Sequence, residues 1–162
     1  MRRLRLRFAT PPPSPCGVDT VGHGDLDMLA FVELLGWAGT RMVVDVRDAS
    51  ARSGRPEMDA AALDRDLRDL GMEYIDLASD LGHHDVLDPP DAFWNALTWI
   101  EGRGTWQRVI LLGAAEDPTW CPRRRIARLL IANGTDVHHL RSNGRRQADD
   151  ELEAATWMVR QE

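Results

Sequence analysis

The chain of 162 residues has a formal charge of −6, with 43% hydrophobic and 28% charged residues, a profile that predicts one globular domain with a full core. Such a balance excludes a protein that coats nucleic acid through net cationic surface. The lack of a signal-peptide pattern, or of an apolar run near the ~18 residues of a membrane span, predicts a cytoplasmic protein with no membrane association. All 20 basic residues are Arg, so pyridoxal phosphate held as a lysine Schiff base and a phosphate-loop lysine are both excluded.

In chain order, residues 1–16 form a basic, Pro-rich arm, and residues 17–162 a single α/β domain. The arm alternates Arg with apolar residues and then carries four prolines between Thr10 and Pro15, which stops regular structure. It is the one part of the chain suited to an acidic partner such as nucleic acid. Val18 to Val21 reads as a short strand and Gly22-His23-Gly24 as a turn. Asp25 is the expected cap of a helix to Leu35, with Leu26, Leu29, Ala30, Val32 and Leu34 as its inward stripe. Met42 to Val46 is a buried strand. A polar loop, Asp48 to Met58, carries Arg52 and Arg55.

Asp59 caps the next predicted helix, which Gly71 stops. Tyr74 to Leu77 is the third strand, followed by a loop with Asp80, His83 and His84. A helix over Asp91–Glu101 turns Phe93, Leu97 and Ile100 inward. Val109 to Leu112 is the fourth strand. Cys121-Pro122 then opens a helix with Ile126, Leu129 and Leu130 at helical spacing. Val137 to Leu140 is the fifth strand and Asp149–Arg160 the last helix.

Five strands alternating with five helices predict a three-layer Rossmann-like domain: a mainly parallel sheet of about five strands with helices on both faces. Ligands of such sheets bind beyond the carboxyl ends of the strands, where strand order reverses. The chemically capable residues fall at those ends: Thr20 and His23, Asp45 and Arg47, His83 and His84, Glu116 and Cys121, and Arg141.

Cys121 stands at a helix N-terminus ahead of Arg123, Arg124 and Arg125, a setting that favours a reactive thiolate: nucleophile, redox group or soft metal ligand. The competing reading is a small buried core residue. Asp45 and Arg47 form either a charge pair presenting a guanidinium to an anion or an internal brace. His23, in a Gly-flanked turn, suits acid–base work, metal ligation or turn stabilisation. His83 and His84 are metal candidates, while His138 and His139 straddle the fifth strand, one of them in the core. Trp94 and Trp106 are expected to pack helix against sheet, Trp99 and Trp157 to lie at the surface or in a homodimer contact, and Trp120 to stack on a flat ligand at the cleft rim. Rhodanese chemistry needs Cys-x5-Arg, and Ala127 occupies that sixth place after Cys121.

The motifs T-V-G-H (Thr20 to His23), V-V-D-V-R (Val43 to Arg47), Y-I-D-L before a Gly-containing loop, and A-E-D-P-x-x-C-x-R arrive in an order that resembles domain-of-unknown-function family 488, over roughly Val18 to Leu140. The resemblance implies a small Rossmann-type α/β domain with a cleft, and no particular reaction. Members carry C-A-E after the fourth strand and C-H-R at the next helix. Here Gly113 or Ala114 replaces the first Cys. The carboxylate is kept as Glu116 or lost to Ala115, depending on the gap, and Pro122 replaces the His. A mechanism needing a Cys pair or a Cys-His neighbour is therefore absent.

The leading expectation is an enzyme or enzyme-like binder of an anionic or nucleotide-like small molecule. In it Cys121, His23 and Asp45 are the catalytic candidates, and Thr20, Arg47, Arg123, Glu116 and Trp120 line the ligand. One alternative is a haem or transition-metal protein using Cys121 or a histidine (His23, His83 or His84). Another is a non-catalytic partner-binding module.

Overall fold

The computed structural model describes residues 14–52, 54–82 and 87–160. They form a six-stranded sheet between two helical layers, in strand order β3-β2-β4-β1-β5-β6. The strands are β1 (Gly17–Gly22), β2 (Met42–Asp45), β3 (Glu73–Asp76), β4 (Arg108–Gly113), β5 (Val137–Leu140) and β6 (Arg146–Ala148). All neighbours are parallel except β5 and β6. β4 sits in the middle and is buried along its whole length, as its apolar run requires.

Helices α1 (Met28–Trp37) and α3 (Ala60–Asp69) cover one face, where Phe31, Leu34, Leu35, Leu63 and Leu67 meet Val21, Val43, Ile110 and Leu112. Helices α5 (Asp91–Gly104) and α6 (Pro122–Ala132) cover the other, where Phe93, Leu97, Ile100, Ile126 and Leu130 meet Val18, Val44, Val109 and Leu111. Right-handed crossovers explain the split: the chain steps one way from β1 to β2 to β3, then back through β4 to β5. The helices that follow adjacent strands β1 and β4 therefore lie on opposite faces, which makes their carboxyl ends the point where strand order reverses.

Three expectations change. The first helix is capped by Asp27, not Asp25: the Asp27 carboxylate accepts from Ala30 N at 2.7 Å. Asp25 is used in a turn that closes when Leu26 N donates to His23 O. Shifting the start rotates the buried stripe to Phe31, Leu34 and Leu35, and leaves Leu29 exposed. Trp94 and Trp106 do not pack against the sheet. Phe93, Leu97 and Ile100 fill that side of α5, and both indoles are exposed. Arg103 instead stacks over Trp99 and Trp106, 5.1 and 5.0 Å from the ring centroids.

The sixth strand, β6, pairs antiparallel with β5 through a tight turn closed by Arg141 N to Arg145 O at 2.8 Å. Its R-Q-A sequence carries no apolar alternation, so periodicity cannot find it. Two short helices, α2 (Ala49–Arg52) and α4 (Ala78–Leu81), lie in segments read as loops, and α7 (Asp149–Val159) closes the described chain.

Candidate functional site

Asp45 ends β2 in a fully buried position and organises the groups around it. Its Oδ1 accepts from the Arg47 backbone N and from Arg47 Nε, both at 3.0 Å, and its Oδ2 accepts from Arg47 Nη2 at 2.9 Å. Tyr74, on the adjacent strand β3, donates its hydroxyl to Oδ2 at 2.6 Å. Arg52 Nη2 lies 3.4 Å from the same oxygen. Burial and the bond to Asp45 both push the Tyr74 hydroxyl above its ordinary value, so it remains a donor. A buried carboxylate is tolerable only when paired and satisfied in this way. The pairing fixes the Arg47 guanidinium but leaves one nitrogen over. Arg47 Nη1 is buried and has no hydrogen-bond partner among the described residues.

His23 comes from the loop after β1. Its backbone N donates to Gly113 O at 3.2 Å, and Gly24 N donates to Ala114 O at 2.9 Å, so the β1–β4 pairing continues past the strand ends. Nδ1 lies 3.0 Å from Gly24 O, a group that can only accept. Arg55 Nη1, 3.3 Å from Nδ1, also donates to that carbonyl, at 2.6 Å. We assign the ring proton to Nδ1 on this network, which leaves Nε2 as a bare acceptor. Nε2 is buried and likewise has no partner among the described residues. Burial lowers the His23 pKa first, the Gly24 bond opposes it, and the charges of Arg47 and Arg55 lower it further. The imidazole is therefore neutral at neutral pH.

The loop between β2 and α3 is tied across the ends of β1 and β3. Arg55 donates to the Gly24 and Leu26 carbonyls, and Arg52 donates to both Asp76 oxygens at 2.8 and 2.7 Å. The sequence places Arg52 and Arg55 in this loop without assigning them a role. Nor does the sequence assign a role to Tyr74. The signal that could have found it is its parallel register with Val43 on β2, which puts it on the Asp45 side of the sheet.

The structure brings His23, Asp45 and Arg47 together, and sets Cys121 apart from them. Gly22 and Gly113 face each other across β1 and β4. A Cβ on Gly113 would lie 2.7 Å from the Cys121 sulfur and 2.9 Å from Arg123 Cδ. Cys121 and Arg123 thus pack on the α6 face, while His23 and Arg47 belong to the α1–α3 face. Arg123 is fully buried and fully used: Nε donates to Thr20 Oγ1 at 3.1 Å, and Nη1 and Nη2 donate to the Ala115 and Glu116 carbonyls.

Thr20 passes the chain on by donating to His139 Nδ1 at 2.8 Å, and His139 Nε2 donates to Asp149 Oδ1 at 3.0 Å. Burial lowers the His139 pKa, so this last contact is a hydrogen bond from a neutral ring and not an ion pair. Arg124 also donates to Asp149, at 2.8 Å. The line from Thr20 to Asp149 resembles a nucleophile–base–acid relay, but Thr20 and His139 are both fully buried, so it joins α6, β1, β5 and α7 as a brace.

Glu116 is committed elsewhere, with Arg141 Nε and Nη2 at 3.0 and 2.8 Å and Ser142 N at 3.1 Å. The Arg141 guanidinium holds that carboxyl down at about 2. Trp120 is 78% exposed, with Arg160 over its ring at 5.8 Å. Cys121 is 8% exposed and borders a recess of about 430 Å³ with Trp120, Arg124, Arg125 and Arg128. His83 and His84 lie outside the described residues. Among the described residues no three His, Cys, Asp or Glu side chains converge as a metal-binding set.

The two buried histidines predict a pH dependence. Their folded pKa values lie below the unfolded value of 6.5. Between those values the unfolded chain binds more protons, so stability is complete above about pH 6.5 and falls as the pH drops toward the folded values. Urea denaturation should show a lower midpoint at about pH 5.5 than at about pH 7.5. That window lies above the range where the depressed carboxyls of Asp76, Glu116 and Asp149 titrate. Replacing His139 by Gln should flatten part of the slope; an unchanged slope would contradict its being neutral in the fold.

Fold and site together define a Rossmann-like three-layer α/β protein with a buried Asp–Arg–His cluster at the carboxyl end of its sheet. No family model, curated protein or solved structure matches the chain. Among the described residues, no helix is long and apolar enough to cross a membrane.

Proposed function

We propose that the protein binds an anionic small molecule at the carboxyl ends of β1 and β2, with Arg47 as the anion-binding group and His23 as the acid–base group beside it. One observation carries this reading: two buried polar side chains, close enough for the Arg47 charge to act on the His23 ring, each hold a nitrogen without a partner among the described residues, Arg47 Nη1 and His23 Nε2. Leaving such groups unsatisfied costs about 1–3 kcal/mol apiece, more for a charged one, and a ligand that pairs them recovers that cost. Asp45 and Tyr74 are positioning residues that hold the guanidinium in one orientation. Cys121 is not part of this chemistry.

Kinship with domain-of-unknown-function family 488 belongs to the same proposal. Its T-V-G-H and V-V-D-V-R motifs supply His23, Asp45 and Arg47. A reducing cytoplasmic setting is also proposed, supported by Cys16 and Cys121 both being free thiols.

The test is thermal unfolding of the full chain with inorganic phosphate, sulfate, citrate and adenosine monophosphate in separate titrations. At least one anion should raise the melting temperature saturably. Ligand at about 100 times its Kd adds about 2.7 kcal/mol. Arg47→Lys keeps the charge and loses the planar fork, and should weaken that response by about tenfold or more. If no anion stabilises the protein, or if Arg47→Lys responds like the parent chain, the reading fails.

A further inference from the structure

We infer that the His23–Arg47 pair takes an oxyanion that still carries a proton, hydrogen phosphate being the smallest case, and discriminates against an oxyanion of the same shape that carries none. The inference rests on the proposed anion site and specifies which anion that site accepts.

The two free nitrogens are of opposite kinds. Arg47 Nη1 can only donate, and it is held by the two bonds that Nε and Nη2 make to Asp45. His23 Nε2 can only accept while Nδ1–H is given to the Gly24 carbonyl. A single ligand that satisfies both must offer an acceptor oxygen to one and an O–H to the other. Hydrogen phosphate does so within one tetrahedral group, and retains a proton across the neutral range. Sulfate has the same shape and only acceptors. Facing Nε2, a sulfate oxygen sets lone pair against lone pair unless the imidazole first takes up a proton.

The surroundings resist that uptake. Among the described residues, the charged and titratable groups around the ring are Arg47, Arg55 and Asp45, with Glu57 on the same loop as Arg55. Burial and the two guanidinium groups disfavour an imidazolium, and the Gly24 bond and Asp45 oppose them only in part. Bound sulfate must therefore draw a proton from solvent, at a cost that grows as the pH rises. Phosphate brings its own, and no covalent step is involved.

Calorimetric titration of the full chain with inorganic phosphate and with sulfate, at about pH 7 and about pH 8, reads this directly. Phosphate should bind at least about tenfold more tightly than sulfate, the fold-change expected when a buried polar group is left unmet. The sulfate Kd should weaken further at the higher pH, and the ratio should widen. In His23→Gln the side-chain amide can turn to present either a donor or an acceptor, so the two anions should come within about threefold of each other.

Equal binding of both anions by the parent chain, lost for both in Arg47→Lys, would overturn the proton requirement and leave the anion site standing. A ratio that survives His23→Gln would overturn the role given to His23. Binding of neither anion would overturn this inference, and would remove the anion site too if citrate and adenosine monophosphate also fail to stabilise the chain.

Discussion

Replacing Asp45 by Ala should destabilise the protein by about 3–5 kcal/mol, the usual cost of removing one partner from a buried ion pair. The carboxylate takes two side-chain donors from Arg47, the Arg47 backbone N–H and the Tyr74 hydroxyl. Its loss leaves a guanidinium whose side chain is wholly shielded from water and which has no other ion-pair partner among the described residues. For a domain whose total stability is about 5–15 kcal/mol, that is a large fraction.

Urea denaturation measures it, as a fall in midpoint at unchanged slope. Tyr74→Phe removes one hydrogen bond, and should cost only about 1 kcal/mol. Asp64→Ala, which breaks an exposed pair with Arg68, should cost under about 1 kcal/mol. A midpoint for Asp45→Ala close to that of Asp64→Ala would show that the cluster is not held as described. Because Arg47 is oriented by Asp45, ligand-induced stabilisation should disappear in Asp45→Ala even at temperatures where the variant remains folded.

Gly22→Ala should cost more than about 3 kcal/mol or abolish folding, because the space it needs is already occupied by backbone. A Cβ there would lie 1.6 Å from the Ala115 carbonyl oxygen and 2.9 Å from Arg123 Nη1. Conformational preference is not at issue, since Gly22 does not have a positive φ. Relief would require moving the β4–α6 loop outward. That would break the bonds from Arg123 to the Ala115 and Glu116 carbonyls, and those from His23 N and Gly24 N to Gly113 and Ala114.

Overpacking of flexible side chains costs about 1–3 kcal/mol, and a carbonyl fixed by these bonds yields less readily. Gly36→Ala is the control. It lies in α1 with nothing within 4 Å of the added carbon, and should stabilise by about 0.5–1 kcal/mol. Melting temperatures resolve the contrast, since 1 kcal/mol corresponds to about 2–4 °C for a chain of this size. A Gly22→Ala protein that melts within a few degrees of the parent would mean that the β1 and β4 loops are not in contact as described.

The candidate site was legible as residues before it was legible as a place. His23, Asp45 and Arg47 stand out because each follows an apolar strand, and strand ends are where a parallel sheet exposes its chemistry. Cys121 stands out for the same reason, and for its position at a helix N-terminus. What misleads is the face. Side chains alternate across a strand, so residues at one end of a sheet can lie on opposite sides of it. The notion of a single rim shared by Cys121, His23 and Arg47 ignores this parity.

Arg123 shows the same limit. Its place in the first turn of α6 marks it as a ligand for an anion, yet its three nitrogens are consumed by Thr20 and two carbonyls of its own loop. Only folded neighbours can use up a donor in this way.

From its sequence alone the chain determines its class and most of its elements. Apolar runs of strand length alternate with helical periodicity, and each such segment must bury one face whatever its neighbours are. The carboxyl-end position of His23, Asp45, Arg47 and Cys121 follows from that alternation, because right-handed crossovers leave little choice of topology. Tertiary structure alone decided which groups meet and which remain unpaired. Asp45 finds Tyr74 twenty-nine positions away, and His139 finds Thr20 at a separation of 119. Burial then turns a leftover N–H or lone pair from a trivial feature into a costly one, and no reading of local pattern can reveal which donors a fold will leave without partners.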